Sequence, residues 1–545
     1  MENITGRIFD LGRTALLTQQ QGINITGHNI ANVNTKGYSR QVLVLETNQP
    51  IDTICGQVGA GVGAKTVERV YALFLSRQIN EASTNQGAWE ASRQILEQVE
   101  FVFNESTGFG LNESMENFWN AWQDLSNNPS GLTEREVLLV KADTMARDFQ
   151  GAHEYLERLQ GDTQNLINDT VERINQLARE ITNLNDKINR IEAGNQNAND
   201  LQDRRDVKIR ELAELVDIDT IQGDGGLLYV HAAGHPLVIG LSSPETMTLE
   251  DVKDSVAGGR LKGCLDGYGE VESCKEDLRL LACSIRDQVN AVHEDGYDLY
   301  GQSADPVVNA SARSFFLDDA EVMEIGITDY NRVAAAASPD SPGDNTNANN
   351  IYALRDQSMG PAVSGISIVG TGKLAVDFTD FMLKWDNAAL EWHIMRGDLA
   401  NGDPYDVKVA APIDQPDFFR INFDVDGDGL EDKSIEVSLA APMSYDVVMA
   451  FDIMGGDFVY KQNQPPHDFY NSLVARIGSG VEEAGRNKSH SAQMLEQLDN
   501  YRESISGVSM NEEIINLVQY QNAYQAAAKI ITTVDEMIDT LMDMI

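Results

Sequence analysis

At 545 residues the chain is too long for one hydrophobic core, so roughly three or four domains or a few elongated ones are expected. Its 85 acidic against 41 basic residues leave a net charge of −44, which repels phosphate backbones and, without a basic stripe to offset it, argues against nucleic acid as a partner. No apolar run reaches the roughly eighteen residues a membrane helix needs, and Glu2, Arg7, Asp10 and Arg13 interrupt the start of the chain, so neither membrane insertion nor a cleaved secretion signal is expected.

The first element reads as a helix with heptad rows. Phe9, Leu16, Ile23 and Ile30 lie seven apart, beside Ile4, Leu11, Thr18, Ile25 and Asn32, with Ile8, Ala15, Gly22 and Asn29 as a further row. The seam turns from apolar to small and polar toward Gly37. Asparagine and glycine weaken a lone helix, so this one is expected to order only against neighbours, with Asn29 and Asn32 selecting register and Gly22 and Gly27 allowing close approach. Lys36 and Gly37 read as the helix end, with Gly37 in the left-handed cap position and "SRQVLVLET" leaving as a strand. The glycine-rich "GAGVGAK" (59–65) lacks phosphate-loop spacing, as does "GTGK" (370–373), which is followed by Leu374.

Helical patterns follow at about 71–104, 112–125, 133–192 and 200–216, with "GNQNAN" turning before the last. Thr133 and Glu136 have the spacing of a capping box. Within 133–192, Ile167, Ile174, Ile181 and Ile188 occupy one heptad position and Thr170, Leu177, Leu184 and Ile191 another. With three further helices close in sequence, this seam reads as the core of a bundle within the chain rather than a self-association surface.

Between 218 and 262 runs such as "LLYVHAAGHPLVIG" predict a small β excursion, followed by a helix over "CKEDLRLLACSIRDQVNAVHEDG" and a loop over 334–350. Cys55, Cys264, Cys274 and Cys283 form no CxxC pair, and no histidine stands at ligand spacing, which argues against zinc. Cys264 and Cys274 flank "CLDGYGEVESC", read as a short loop that a disulfide would close in an oxidising place. The eight histidines form no triad or metal cluster, and nucleophile signatures are absent, so no catalytic or cofactor-binding residue is assigned.

From 358 to 463 the pattern is β throughout, in runs such as "SGISIV", "KLAVDF", "ALEWHIM" and "FFRINF" spaced as in a small sandwich or barrel. Inside it, "DVDGDGLED" puts Asp424, Asp426, Asp428 and Asp432 at positions 1, 3, 5 and 9 of a calcium loop, but Ile435 stands where position 12 needs an acid. An acidic hairpin turn explains the same residues. Calcium is therefore the single weak cofactor candidate.

Helix resumes at "QNQPPHDFYNSLVARI". After Gly507 it runs without Pro or Gly to the end, with Leu517, Tyr520, Tyr524, Ala527, Ile531, Val534, Ile538, Leu541 and Ile545 in unbroken steps of three and four. The expected fold class is α+β, elongated and multi-domain. Paired terminal coiled-coil helices (1–50 with 505–545) close a mainly helical body (51–357 with 464–504), into which an all-β outer domain (358–463) is inserted.

These motifs also carry a resemblance. "NITGHNIANVNTKGYSRQ" (24–41) and "SGVSMNEEIINLVQYQNAYQAAAKIITTVDEMIDTLMDMI" (506–545) resemble the terminal motifs of the bacterial flagellar axial proteins, the rod, hook and hook-associated subunits. "RVYALFLSRQI", "LNDKINRIEA", "NDLQDRRD", "VNAVHEDGYD", "SPGDNTNA" and "DFYNSLVARIG" are similar to hook-associated members, and the likeness spans nearly all the chain outside 358–463. The resemblance implies a structural subunit rather than an enzyme, at the junction of hook and filament in the extracellular flagellum. It implies export by the flagellar type III apparatus without a cleaved signal, and a chaperone bound at the C-terminal region. It further implies a ring of copies contacting the hook protein and a second junction protein. The terminal helices would form an inner tube, with Ile23, Asn29, Ile30, Asn32, Gly37, Tyr38, Leu517, Tyr520, Tyr524, Ile531, Val534, Ile538 and Leu541 as interface. The competing readings are a hook or distal rod subunit and a cytoplasmic coiled-coil scaffold. A scaffold would keep a stable terminal helix in the free monomer, whereas an axial subunit would order its ends on assembly.

Overall fold

The computed structural model describes all residues except 1, 54–55, 105–108, 195, 243–245, 310–312, 319, 321, 544–545 and the non-strand segments of 361–463. Side chains are described outside 1–7, 51–56, 58, 361–463 and 541–545. The described chain is mostly helical with small sheets. α1 (Glu2–Ala31) leads to β1 (Gln41–Thr47), the small hairpin β2 (Ile51–Thr53) and β3 (Gly56–Val58), and β4 (Val62–Arg69), which returns antiparallel to β1. Helices α2 (Leu73–Phe103), α3 (Leu111–Asn127), α4 (Leu132–Glu192) and α5 (Asn199–Leu215) precede the antiparallel meander β5 (Ile218–Gln222), β6 (Leu228–Ala232) and β7 (His235–Val238). The short α6 (Leu249–Val252), the long α7 (Gly259–Glu294) and α8 (Thr346–Ala353) follow.

The strands β8 (Val363–Val369), β9 (Asp380–Asp386), β10 (Glu391–Arg396), β11 (Lys408–Ala410), β12 (Phe418–Phe423), β13 (Lys433–Leu439), β14 (Val447–Met454) and β15 (Asp457–Tyr460) form two antiparallel four-stranded sheets. Their orders are β10-β9-β14-β15 and β11-β12-β13-β8. The run "KLAVDF" and the aspartates 424–432 lie outside the described residues. α9 (Pro466–Ser506) and α10 (Met510–Asp543) complete the chain.

The chain divides into two compact units, one of 1–94, 163–267 and 483–545, the other of 95–162 and 268–482. In the first, the heptad residues Ile167, Ile174, Ile181 and Ile188 are buried within the chain, as the bundle reading expects, while Ile191 at the end of α4 is 37% exposed. One buried amide in this core is fully matched. Asn185, fully buried, donates Nδ2 to the carbonyls of Leu228 (2.7 Å) and Gly240 (2.8 Å), and its Oδ1 accepts from Arg205, so one amide ties the β5–β7 meander to α4 and α5.

In the second unit, Phe118 and Trp122 of α3 pack against Phe315, which also meets the His293 ring at 5.4 Å. His293 is completely buried. Its Nε2 accepts from the Ala334 N–H at 2.9 Å, and desolvation, followed by the Arg135 charge, pulls its pKa down to about 3. Arg135, 1% exposed, is held by carbonyls. Nε donates to Pro129 O (2.8 Å), and Nη1 donates to Val333 O (2.6 Å) and Tyr330 O (3.4 Å).

Several local expectations change. "CLDGYGEVESC" is not a loop but part of α7, and Cys264 and Cys274 are free and buried ten residues apart along it. About 15 Å of helical rise separates them, far more than a disulfide spans. The cause is composition: the two glycines and one acidic turn that suggest a loop are outweighed by Leu261, Val271 and Leu278, all fully buried. α4 starts at Leu132, so Thr133 lies inside the helix and cannot cap it, whereas a capping box does form at Thr248 and Asp251. The 334–350 loop already turns helical at Thr346.

Candidate assembly interface

α1 and α10 pack side by side and antiparallel. A Cβ placed on Gly12 would meet Ile531 at 2.8 Å, and one on Gly22 would meet the Tyr520 ring at 2.7 Å, while Asn29 reaches Glu513. Three contacts thus fall on matching steps along both helices, one register throughout. The buried side of α1 is the small and polar one: Gly12, Thr18, Gly22, Thr26 and Asn29 are buried, Ile23, Ile30 and Asn32 half-buried, and Phe9 is 42% exposed. On α10 the facing residues are Glu513, Leu517, Tyr520, Tyr524, Ala527, Ile531 and Val534, of which Glu513, Ala527 and Val534 are buried and the others partly covered. Ile538 is 36% exposed, and the Leu541 side chain lies outside the described residues. Tyr520 is accommodated because Gly22 carries no side chain opposite it. Gly27, by contrast, meets nothing within 4 Å.

Both helices leave a second apolar surface open. Leu17 on α1 and Ile514, Ile515, Val518 and Met537 on α10 are each about half exposed or more, Ile515 reaching 57%. Exposed apolar area of this kind along paired helices marks an interaction surface.

The base of the pair is tied by polar groups. α1 ends at Ala31, six residues before the expected cap, because Asn32, Thr35 and Tyr38 continue as successive turns. Gly37 does adopt φ +82°, and a Cβ there would collide with Val207, so glycine is required for both conformation and space. The turn brings Tyr38 back to α1. Its hydroxyl donates to Asn29 Oδ1 at 2.7 Å and meets His28 Nδ1 at 3.0 Å. Asn29 Oδ1 also accepts from the Gln41 N–H (3.0 Å), and Nδ2 donates to Gln41 O (2.9 Å) and Glu513 Oε2 (3.2 Å). Burial, and then the charges of Asp200, Asp203 and Glu513, push the Tyr38 pKa well above that of an ordinary phenol. Asn32 stays within its own turn, donating to His28 O and accepting from the Thr35 hydroxyl.

Around this knot Asp203, 7% exposed, accepts from the Ser39 N–H (2.9 Å) and from Arg69 (2.8 Å), which also reaches Asp206 at 2.5 Å. Arg40 pairs with Glu512, and its N–H donates to Ser506 O. A cavity of about 700 Å3 opens beside His28, lined by the α1 turn, α4 and α5. Glu513, Gln41, Asp200 and Asp203 are the functional positions that sequence reasoning missed. A signal existed for Glu513, which stands one heptad before Tyr520 just as Asn29 stands one heptad after Gly22.

The comparisons fall on these elements. Residues 96–307 match the model of the flagellar hook-associated protein FlgK helical domain, 9–38 that of the flagella basal body rod protein, and 502–544 that of the flagellar basal body rod FlgEFG protein C-terminal region. Flagellar hook-associated protein 1 of Bacillus subtilis is 27% identical, over 98% of this chain and 97% of its own. The chain resembles flagellar hook-associated protein 1 over nearly its whole length. Members from Salmonella typhimurium and Escherichia coli are each 25% identical over 97% of this chain and 98% of theirs. A solved relative, the flagellar hook junction protein FlgK from Burkholderia pseudomallei, aligns with a TM-score of 0.45 at 16% identity, covering 79% of this chain and all of that one. The two terminal family models coincide with α1 and its following turn and with α10, the helices that pair here.

Proposed function

We propose that this chain is a structural subunit of the bacterial flagellum that joins hook to filament and enables filament assembly. The observation that carries the reading is the α1–α10 pair, closed within the chain on a small-residue seam while its outer apolar residues stay open for neighbours. The full-length relatives are named for association with the hook. In this reading copies of the chain form a ring through the terminal helices, one side meeting hook protein and the other a second junction protein. A chaperone covers the C-terminal region before export through the flagellar type III apparatus. The protein then resides in the extracellular flagellum. Among the described residues no helix is long and apolar enough to cross a membrane.

The division into a terminal domain (1–50 with 505–545), a helical body (51–357 with 464–504) and an outer β domain (358–463) belongs to the same proposal, as does the absence of catalysis. Assembly in this scheme needs no cofactor. Calcium at Asp424, Asp426, Asp428 and Asp432 is tested by calorimetric titration of the full chain, where no heat removes the candidate. The functional test is a deletion strain. It should be non-motile and shed unassembled filament subunits into the medium, with rescue by the intact gene; a normally flagellated deletion strain overturns the reading.

A further inference from the structure

The cavity beside His28 is locally cationic in a chain of net charge −44. Its carboxylates are engaged within the fold: Glu180 and Glu211 pair with Lys208 at 3.2 and 3.0 Å, Asp203 holds Arg69 and the Ser39 N–H, and Asp200 accepts from Gln41 Nε2 at 2.7 Å. Its remaining cations are not. Lys36, Lys187 and Arg204 are exposed and have no carboxylate partner among the described residues. Leu184 and Val207, half-buried, add apolar surface. A smaller cavity of about 200 Å3 shares Lys36 and Val207 and adds Arg77, exposed and likewise unpaired among the described residues, and Arg205. Arg205 is 4% exposed, its Nη1 donates only to the neutral oxygens of Asn185 and Gly226, and its Nε has no partner among the described residues. A guanidinium buried without a carboxylate bonded to it carries a desolvation cost that a nearby anion offsets.

The far end of the terminal helix pair has the opposite character. Residues 530–545 hold no Lys or Arg but four carboxylates. Asp535, Glu536 and Asp539 are exposed and unpaired among the described residues, and every side chain from 535 to 540 is exposed, Met537 at 50%. This tip cannot reach the cavity of its own chain. Ile531 faces Gly12, whereas the cavity lies past the end of α1 at Ala31, and residues 12 to 31 span about 28 Å of helical rise.

We propose that the cavity rimmed by Lys36, Lys187 and Arg204 receives the acidic, apolar tip of α10, with Asp535, Glu536 and Asp539, from a second copy of this chain. Complementary charge and the separation within one chain together select a second copy as the occupant. The contact is heterologous, one copy's tip on a different surface of the next, which is the arrangement that generates rings or helices. Exposed ion pairs are individually weak, so the contact belongs to assembled copies rather than to free monomers. The inference rests on the ring of copies proposed above and names the surface that the tip meets.

Carbodiimide coupling of isolated hook–filament particles tests it, since the reagent joins a lysine amine directly to a carboxylate, with no spacer, only where the two are in contact. Peptide mass spectrometry of the two-chain product should find Lys36 or Lys187 joined to Asp535, Glu536 or Asp539. Arg204→Glu, which leaves both lysines in place, should lower the yield of that link about fivefold, as should Asp539→Lys, and the two reversals together should restore it to within about twofold. If neither variant accumulates, the link in the unaltered chain decides. The chain present in the particles without that link, the two lysines joined instead to acidic residues of a different protein, an unchanged yield in either variant, or two reversals that do not compensate would each overturn the docking. A chain absent from the particles would overturn the junction role itself, and the docking with it.

Discussion

Two glycine-to-alanine substitutions in the same helix separate packing from helix propensity. Alanine is favoured over glycine inside a helix by about 1 kcal/mol. At Gly27 the new methyl meets nothing within 4 Å, so Gly27→Ala should strengthen α1 by that amount. At Gly22 the methyl would sit 2.7 Å from two ring carbons of Tyr520 and 2.9 Å from a third, and the ring is held between the helices. Overpacking of this kind costs about 2 kcal/mol, so Gly22→Ala should be a net loss of about 1 kcal/mol despite the better propensity. Hydrogen exchange of peptides spanning 516–524 in the full chain reads the difference: slower exchange for Gly27→Ala, and roughly fivefold faster for Gly22→Ala. Adding Tyr520→Leu to Gly22→Ala should recover most of the loss. If both alanines shift exchange in the same direction by similar amounts, the close approach of α1 to α10 is refuted.

Burial of His293 makes the second unit acid-sensitive. Its folded pKa of about 3 lies below the ordinary 6.5, so the neutral ring contributes stability above pH 6.5 that is lost as the pH falls from 6.5 toward 3. Urea titrations should show an added slope of about 1.4 kcal/mol per pH unit in that window, absent in His293→Gln. Arg135→Met removes the donor to three carbonyls and should cost about 3 kcal/mol by chemical denaturation, with Arg135→Lys recovering part of it. Arg69→Met takes the shared guanidinium from the Asp203 and Asp206 carboxylates, leaving Asp203 with the Ser39 N–H, and a loss of about 3 kcal/mol is expected. A change below 1 kcal/mol would show that those carboxylates find other partners.

Helix placement was largely legible because long amphipathic segments repeat their signal many times. α3, α4, α5 and α10 start or stop within a few residues of the expected positions. Errors gather where one or two residues decide. The glycines of "CLDGYGEVESC" mimic a loop, and Thr133 mimics a cap two residues too late. For the terminal interface, heptads identified both helices, and the row through Gly22 and Asn29, read as small and polar, lies on the side buried against α10 together with Gly12, while the apolar row through Phe9, Leu16, Ile23 and Ile30 is half-buried or exposed. Apolar periodicity alone does not tell which glycines are close-packed: Gly12, in none of the rows, meets Ile531, while Gly27, expected to allow close approach, meets nothing. Nor could it reveal Asp200 and Asp203, which join the knot only because the chain folds back more than a hundred residues later.

The small-residue seam divides the labour of α1 between two sides. Its intrachain side is matched by shape and by a few polar bonds, so it tolerates almost no enlargement. Larger apolar residues such as Phe9 and Leu17, freed from that task, stay largely exposed, so a change of size at those positions falls on what lies outside the chain. A subunit built this way can vary its outward contacts while its own ends stay in register, and an adaptor between two different partners needs both properties in the same helix.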